Sequence, residues 1–379
     1  MKTHRICIAL ILCTTVLICA PSSQAKSAEN KTINEDEKTQ STNPEILLPV
    51  KKDGKWGYID KTGKLIIEPR FDDAKDFSDG LAGVMIKIKN KSVWGFIYTT
   101  GNYAIEPKFA EVKDFSENLC AARAFNLRSG GSLWGYIGKD GNFIVEPNFN
   151  EVESFSEGLA LVGISDFFTI IFSDYLIHWY FIDKEGNKIL SFRNIYPHSF
   201  SEGFTSVMDL DTHKSGFMNK SGDFVIKPEF DYAEPFSEGL ACVTKNNKIG
   251  YIDKTGKIVI EPQYDYGRQF SEGMAMVGLG QISLSNGHPV GGKFGFINNK
   301  GEYIIKPQYN FANSFSEGLA SVMIGHKYGY IDKNGNIIIE PKFGVARPFK
   351  NGLAQVIIGG THEFSYIDKT GKYIWEPTN

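Results

Sequence analysis

The sequence predicts an all-β chain of tandem repeats, small three-stranded antiparallel sheets stacked face on face as an open superhelical β-solenoid or a β-propeller-like array. Three observations carry that expectation. The phrase WGYIDKTGKLIIEP at 56–69 returns as WGYIGKDGNFIVEP at 134–147 and as YGYIDKNGNIIIEP at 328–341. Each copy is followed, at one fixed distance, by a tetrad resembling F-S-E-G. Only the stretch from that tetrad to the next copy changes length. Fixed length marks the packed unit, and variable length marks surface loops.

Taken in order, residues 1–25 read as a signal peptide: basic MKTHR, the apolar run ICIALILCTTVLICA, then PSSQA, with cleavage expected after Ala25. The apolar run is short for a membrane span, and no later segment is long enough for a stable one. Cys19 follows Leu17 and Ile18, so the small residue a lipid-anchor motif wants is missing. Residues 26–45, KSAENKTINEDEKTQSTNPE, are polar and charged and predict a disordered linker. The formal net charge of −3 grows more negative when Lys2 and Arg5 leave with the leader. Such a surface offers no electrostatic footprint for nucleic acid. Export also removes Cys7, Cys13 and Cys19, leaving Cys120 and Cys242, which fall in neighbouring columns of the repeat and so on opposite strand faces. Buried apolar thiols are expected there rather than a disulfide.

Residues 46–379 form the repeat domain, nine units opening at 56, 94, 134, 179, 215, 249, 294, 328 and 364. From each of the first eight openings, the residue 24 positions on closes the tetrad (Gly80, Asn118, Gly158, Gly203, Gly239, Gly273, Gly318, Gly352). Within a unit, strand one is the L-A-x-V run, as at Leu240–Val243. Strand two is the aromatic-Gly-aromatic-Ile run, as at Trp56–Ile59. Strand three is an apolar triplet such as Ile337–Ile339. D-K-T-G or a relative makes the hairpin turn between strands two and three, and Glu-Pro or Lys-Pro stops strand three. Triplets such as Ile258-Val259-Ile260 do not alternate with polar residues, so both their faces are expected to be covered by neighbouring sheets.

These residues resemble the WG-repeat proteins of bacteria, with tandem W-G-Y-I-D-K-x-G-K-x-x-I-x-P units each followed by F-x-x-A-x-x-F-S-E-G-L-A-x-V. The resemblance spans 46–379 and implies an exported or surface repeat array while naming no ligand. Unit four departs from it, reading WYFIDKEGNKILSFRN without the glycine or the proline, and Ser215 and Phe364-Ser365 depart as well.

No catalytic constellation is present: G-x-S-x-G, H-E-x-x-H and G-x-x-x-x-G-K are all missing. The recurrent Asp60, Asp253, Asp332 and Asp368 each stand alone beside a lysine, which fits turn chemistry rather than calcium. His178, His213, His288, His326 and His362 fall in variable segments with no fixed third ligand. No cofactor, metal or enzymatic activity is therefore expected. Two sets of binding residues are candidates. Phe167, Phe168, Phe172 and Tyr175 lie in the apolar loop at 159–178, which is either an interface patch or a self-buried hairpin. Trp56, Trp94, Trp134 and Trp179 either pack one sheet on the next or stack on sugar rings. A second individual loop, 274–293, ends in LSNGHPVGG and reads as flexible. The expected function is an exported, non-catalytic scaffold whose variable loops bind a protein or a cell-surface polymer. Carbohydrate or cell-wall binding through the recurrent aromatics is the alternative.

Overall fold

The computed structural model describes residues 46–125, 132–165, 177–285, 288–358 and 364–376. The expected leader and linker lie outside the described residues, as do Phe167, Phe168, Phe172, Tyr175 and His362. Among the described residues no helix is long and apolar enough to cross a membrane.

Among the described residues antiparallel sheets follow one another along the chain, one for each of the first seven sequence repeats, while the eighth and ninth are joined by a shared strand into a single sheet of seven strands. The sixth shows the plan: Tyr232–Ala233, Leu240–Lys245, Lys248–Asp253 and Ile258–Tyr264, hydrogen-bonded in that order. The last three are strands one, two and three of the sequence reading, except that Glu-Pro does not stop strand three, which runs through Pro262 to Tyr264 because the bulge there asks no ladder N–H of the proline. The short strand ahead of them is additional. It lies between the proline and the tetrad, where a two-residue run is too brief to show a period. Only the first sheet lacks it, with strands Leu48–Lys52, Lys55–Ile59 and Leu65–Phe71.

The glycine of strand two is required by a close approach. Ile249 pairs with Tyr264 and Tyr251 with Ile260, so Gly250 alone faces the three residues Glu261, Pro262 and Gln263. This is a bulge in strand three, and proline suits it because no ladder N–H is wanted there. A Cβ on Gly250 would stand 2.6 Å from the Ile260 carbonyl oxygen and 2.8 Å from Pro262 N. The hairpin turn that follows closes on itself: the Asp253 carboxylate accepts from the Thr255 and Lys257 N–H groups at 2.9 and 3.1 Å, and Gly256 takes φ 86°.

The core lies between sheets. Tyr251, Ile260 and Tyr264 of the sixth pack with Ala275, Val277 and Ile297 of the seventh, and Tyr251 donates its hydroxyl to the Arg268 carbonyl at 2.9 Å. Equivalent clusters occupy the other gaps. Cys120 and Cys242 are buried free thiols in two of them.

Another expectation is overturned: the triplets are not covered on both faces. The third residue is buried, as Ile305 and Ile339 are, but the middle one is not, with Ile144 52% and Ile304 47% exposed. Strand three is the edge strand farthest from the short strands. Sheets that radiate from an axis diverge towards that edge, so only one of its faces is covered. That face receives the hairpin turn of the following sheet, as Gly335 does over Ile305.

Of the two arrangements the sequence leaves open, the described contacts match a propeller-like ring. Leu48, Val50 and Ile59 of the first sheet pack against Leu353 and Tyr366 of the ninth. The Tyr366 hydroxyl donates to the Pro49 carbonyl at 3.1 Å, and the turn at Gly63 abuts the backbone of Ile374. No strand is shared across this seam, whereas Ile337–Ala346 runs unbroken from the eighth sheet into the ninth.

Candidate functional site: an axial cavity and the belt beside it

The tetrads build a belt that ties each sheet to the next. F-S-E-G is a tight hairpin between the short strand and strand one, with both central residues at positive φ: 54° at Glu272 and 82° at Gly273. Glutamate is a poor choice for that conformation, where asparagine or glycine fits better. Its side chain explains its use. The Glu272 carboxylate accepts from Gly318 N–H at 2.9 Å and meets Lys333 Nζ at 3.3 Å, both in the following sheet. Glu202 does the same with Gly239 and Lys254, and Glu117 with Gly158 and Lys184. Burial raises the pKa of these carboxyls, but the lysine and backbone N–H partners outweigh it and hold them below the ordinary range. The serines form a second line: seven, from Ser78 to Ser316, donate to the carbonyl of the next tetrad's phenylalanine. In the ninth sheet Lys350 and Asn351 replace serine and glutamate, and Lys350 reaches Asp76 of the second sheet at 2.6 Å.

Beside the belt lies a cavity of about 470 Å³. Equivalent residues from five consecutive sheets line it, from His198 in the fifth to Pro348 in the ninth. Only short strands that converge on an axis could share one cavity in this way, as inner strands do around the channel of a propeller. Tyr232, Tyr266 and Phe311 occupy one column of those strands, and Glu234, Arg268 and Asn313 occupy the column two residues on. On the second to fourth sheets the first column is acidic instead: Asp73, Glu111 and Glu151. The inner rim therefore has a charged side and an aromatic side.

The aromatic side is held rigidly. Buried Phe294 touches Tyr266 edge-on at 6.0 Å and Phe311 at 5.9 Å, while the Arg268 guanidinium lies 5.5 Å over the Tyr266 ring. Tyr232 is 45% exposed. The Glu234 side chain is only 16% exposed, and its cation, Arg268 Nη1, stands at 3.9 Å. Burial pushes its pKa up against that pull. Burial also lowers the pKa of His198, which favours its neutral form. The arrangement offers aromatic surface, one carboxylate, one guanidinium and the amides of Gln269 and Asn313. Such a lining can bind, and no group of three or more His, Cys, Asp or Glu among the described residues could hold a metal ion.

The sequence-derived candidates lie elsewhere. Trp134 is 6% exposed, and Trp56, Trp94 and Trp179 are half-buried. Each belongs to a different inter-sheet cluster, so the four are not brought together. Trp56 and Trp179 also line separate small pockets of about 250 and 260 Å³. The strands flanking the apolar loop pair as far as Ser165 and Ile177. Part of the loop at 274–293 is a small hairpin, Ser283–Ser285 against His288–Val290. The axial residues escaped notice because they differ from unit to unit inside a block recognised by what it repeats. The available signal was their column, two and four residues past the last aromatic of strand three in units five to seven.

No curated protein matches this chain. Among solved structures, the tricorn protease is 14% identical over 87% of this chain and 44% of its own, with a TM-score of 0.25. A prolyl endopeptidase structure is 12% identical over 89% and 58%, at 0.41. The β-propeller domain of the Trilobed protease from Pyrococcus furiosus, described as having an open velcro topology, is 10% identical over 89% and 100%, at 0.36. This chain thus spans about half the length of the first two. Likenesses this loose transfer no activity. The family model for the WG containing repeat matches residues 56–87, 94–124, 134–165, 216–248, 249–281, 294–328 and 328–361, passing over the two units with Tyr180 and Ser365 in the glycine position. With more than half of its sequence matched, the chain belongs to the WG-containing-repeat family.

Proposed function

We propose that this chain is a non-catalytic recognition scaffold, exported from a bacterial cell and binding a protein or surface polymer with the rim of its array. One observation supports this above the rest. The recurring side chains are taken up by inter-sheet packing, turns and the belt, while the column that varies within the fixed block gathers five different sheets' residues around one cavity. Repetition builds the frame, and variation at the axis supplies selectivity. The basic-apolar-small leader at 1–25 supports export.

The test is retention on intact cells and insoluble envelope polymers, comparing the chain with a Tyr232→Ala/Arg268→Gln double variant. Both positions are nearly half exposed at the cavity, so the fold should survive, which circular dichroism checks. Retention that falls at least tenfold in the double variant supports the reading. Equal retention of the two proteins, or turnover in a broad hydrolase screen, overturns it.

A further inference from the structure

We propose that the axial cavity is a binding site for a short neutral oligosaccharide, held against Tyr232, Tyr266 and Phe311 with its hydroxyls on Glu234, Arg268 and Asn313. This rests on the recognition reading above and names the ligand chemistry of that same site.

Charge narrows the class first. An aromatic-lined pocket with one carboxylate suits an organic cation, but Arg268 stands within 3.9 Å of Glu234 and repels one. Glu234 in turn opposes a phosphate or carboxylate ligand. With His198 kept neutral by burial, the lining carries no net charge, and a neutral ligand avoids the cost of burying an unpaired charge.

Hydrogen-bonding chemistry narrows it further. Glu234 is largely buried, the cation beside it stands at the outer limit of an ion pair and the Gln269 backbone N–H supplies one bond, so its two oxygens can still accept more. A ligand rich in hydroxyl donors would satisfy them. Carboxylate, guanidinium and amide are all planar groups presenting two polar atoms side by side, which matches a pair of neighbouring sugar hydroxyls. Each hydroxyl both donates and accepts, so it can serve Glu234 and Arg268 alike.

Aromatic geometry completes the argument. The apolar face of a pyranose is buried best by a rigid ring, and Phe294 holds two of the three rings before any ligand arrives. A volume of about 470 Å³ lies in the range of small-molecule sites and accommodates roughly two or three sugar rings.

The test is calorimetric titration of the purified chain with cellotetraose, chitotetraose and maltotetraose. At least one is expected to bind with a Kd between about 10 μM and 1 mM, and Tyr232→Ala and Glu234→Gln should each weaken that binding at least tenfold. Tyr98→Ala, at an exposed tyrosine in the hairpin turn after Lys91–Ile97, should leave it unchanged. Tyr232→Phe keeps the ring and should retain binding to within about threefold, which separates stacking from loss of fold. No heat with any of the three at millimolar concentration overturns the proposal, as does binding indifferent to Tyr232 and Glu234. If the glycans fail while retention on cells still depends on Tyr232 and Arg268, the oligosaccharide falls and the recognition scaffold stands.

Discussion

The fourth and sixth sheets solve one problem in two ways. In the sixth, Gly250 faces the Glu261-Pro262 bulge, and two register shifts separate Ile249↔Tyr264 from Ile252↔Ile258. In the fourth, Trp179, Tyr180 and Phe181 pair one-to-one with Phe192, Ser191 and Leu190 before a single shift. Its third strand, Lys188–Phe192, has five residues where Ile258–Tyr264 has seven. The missing two reappear as Arg193 and Asn194 ahead of the fifth sheet's short strand, with Asn194 at φ 58°, so the block keeps its total length. Glycine and proline are therefore one device. Removing the bulge frees the glycine position for Tyr180, whose ring then carries Lys188 Nζ at 3.7 Å from its centroid.

The largest way to break this comparison is to add a side chain where the bulge approaches. Gly250→Ala should cost roughly 2–4 kcal/mol, because the contact is with backbone and no rotamer relieves it. Tyr180→Gly should cost only about 1–2 kcal/mol, from lost packing and a looser strand. Urea midpoints compare the two, and equal costs would mean that glycine serves some purpose other than clearance.

The belt should not notice the difference. Glu202, inside the irregular block, and Glu272, inside a regular one, make the same two contacts. Each Glu→Ala change should cost about 1–2 kcal/mol, and the two should agree within experimental error. A much smaller loss at Glu202 would show that the ladder change reaches the belt.

Acid supplies a subtler comparison. Both carboxyls have folded pKa values below the ordinary 4.5, so their contribution is present above that value and disappears as pH falls below it. Glu202→Gln and Glu272→Gln should each flatten the acid side of a stability–pH profile, equally in the two blocks. The smallest effect is expected at the lysines: Lys254→Met and Lys333→Met should shift stability by no more than about 0.5 kcal/mol, because both ion pairs are partly solvated.

Much of the frame was legible because it repeats. The nine units and the D-K-T-G turns follow from spacing and turn chemistry, but the proline does not stop strand three, which takes it into a bulge and runs on to Tyr264 in the sixth sheet and Ala346 in the eighth. The burial of the triplets was misjudged since an apolar run reads alike whether one face or two is covered; Ile304 needed the divergence of the sheets to be understood. The role of Glu272 was hidden for another reason. Its partners Gly318 and Lys333 lie 46 and 61 residues away, and no local pattern names them. Tyr232 and Arg268 share a cavity only through curvature, which a strand's own period does not encode.

The seam has a mechanical consequence. Eight sheets follow the first through continuous chain, and the first meets the ninth through Tyr366, an apolar cluster and the turn at Gly63 resting on Ile374, with Lys350 of the ninth reaching past it to Asp76 of the second. Tension between Leu48 and Trp375 would act directly on those side chains, while every other junction is held by backbone as well. Under force the molecule should yield first at one known place, like a split washer, and then shed sheets singly from either lip. The distance between its two ends would thus report, step by step, how many sheets remain.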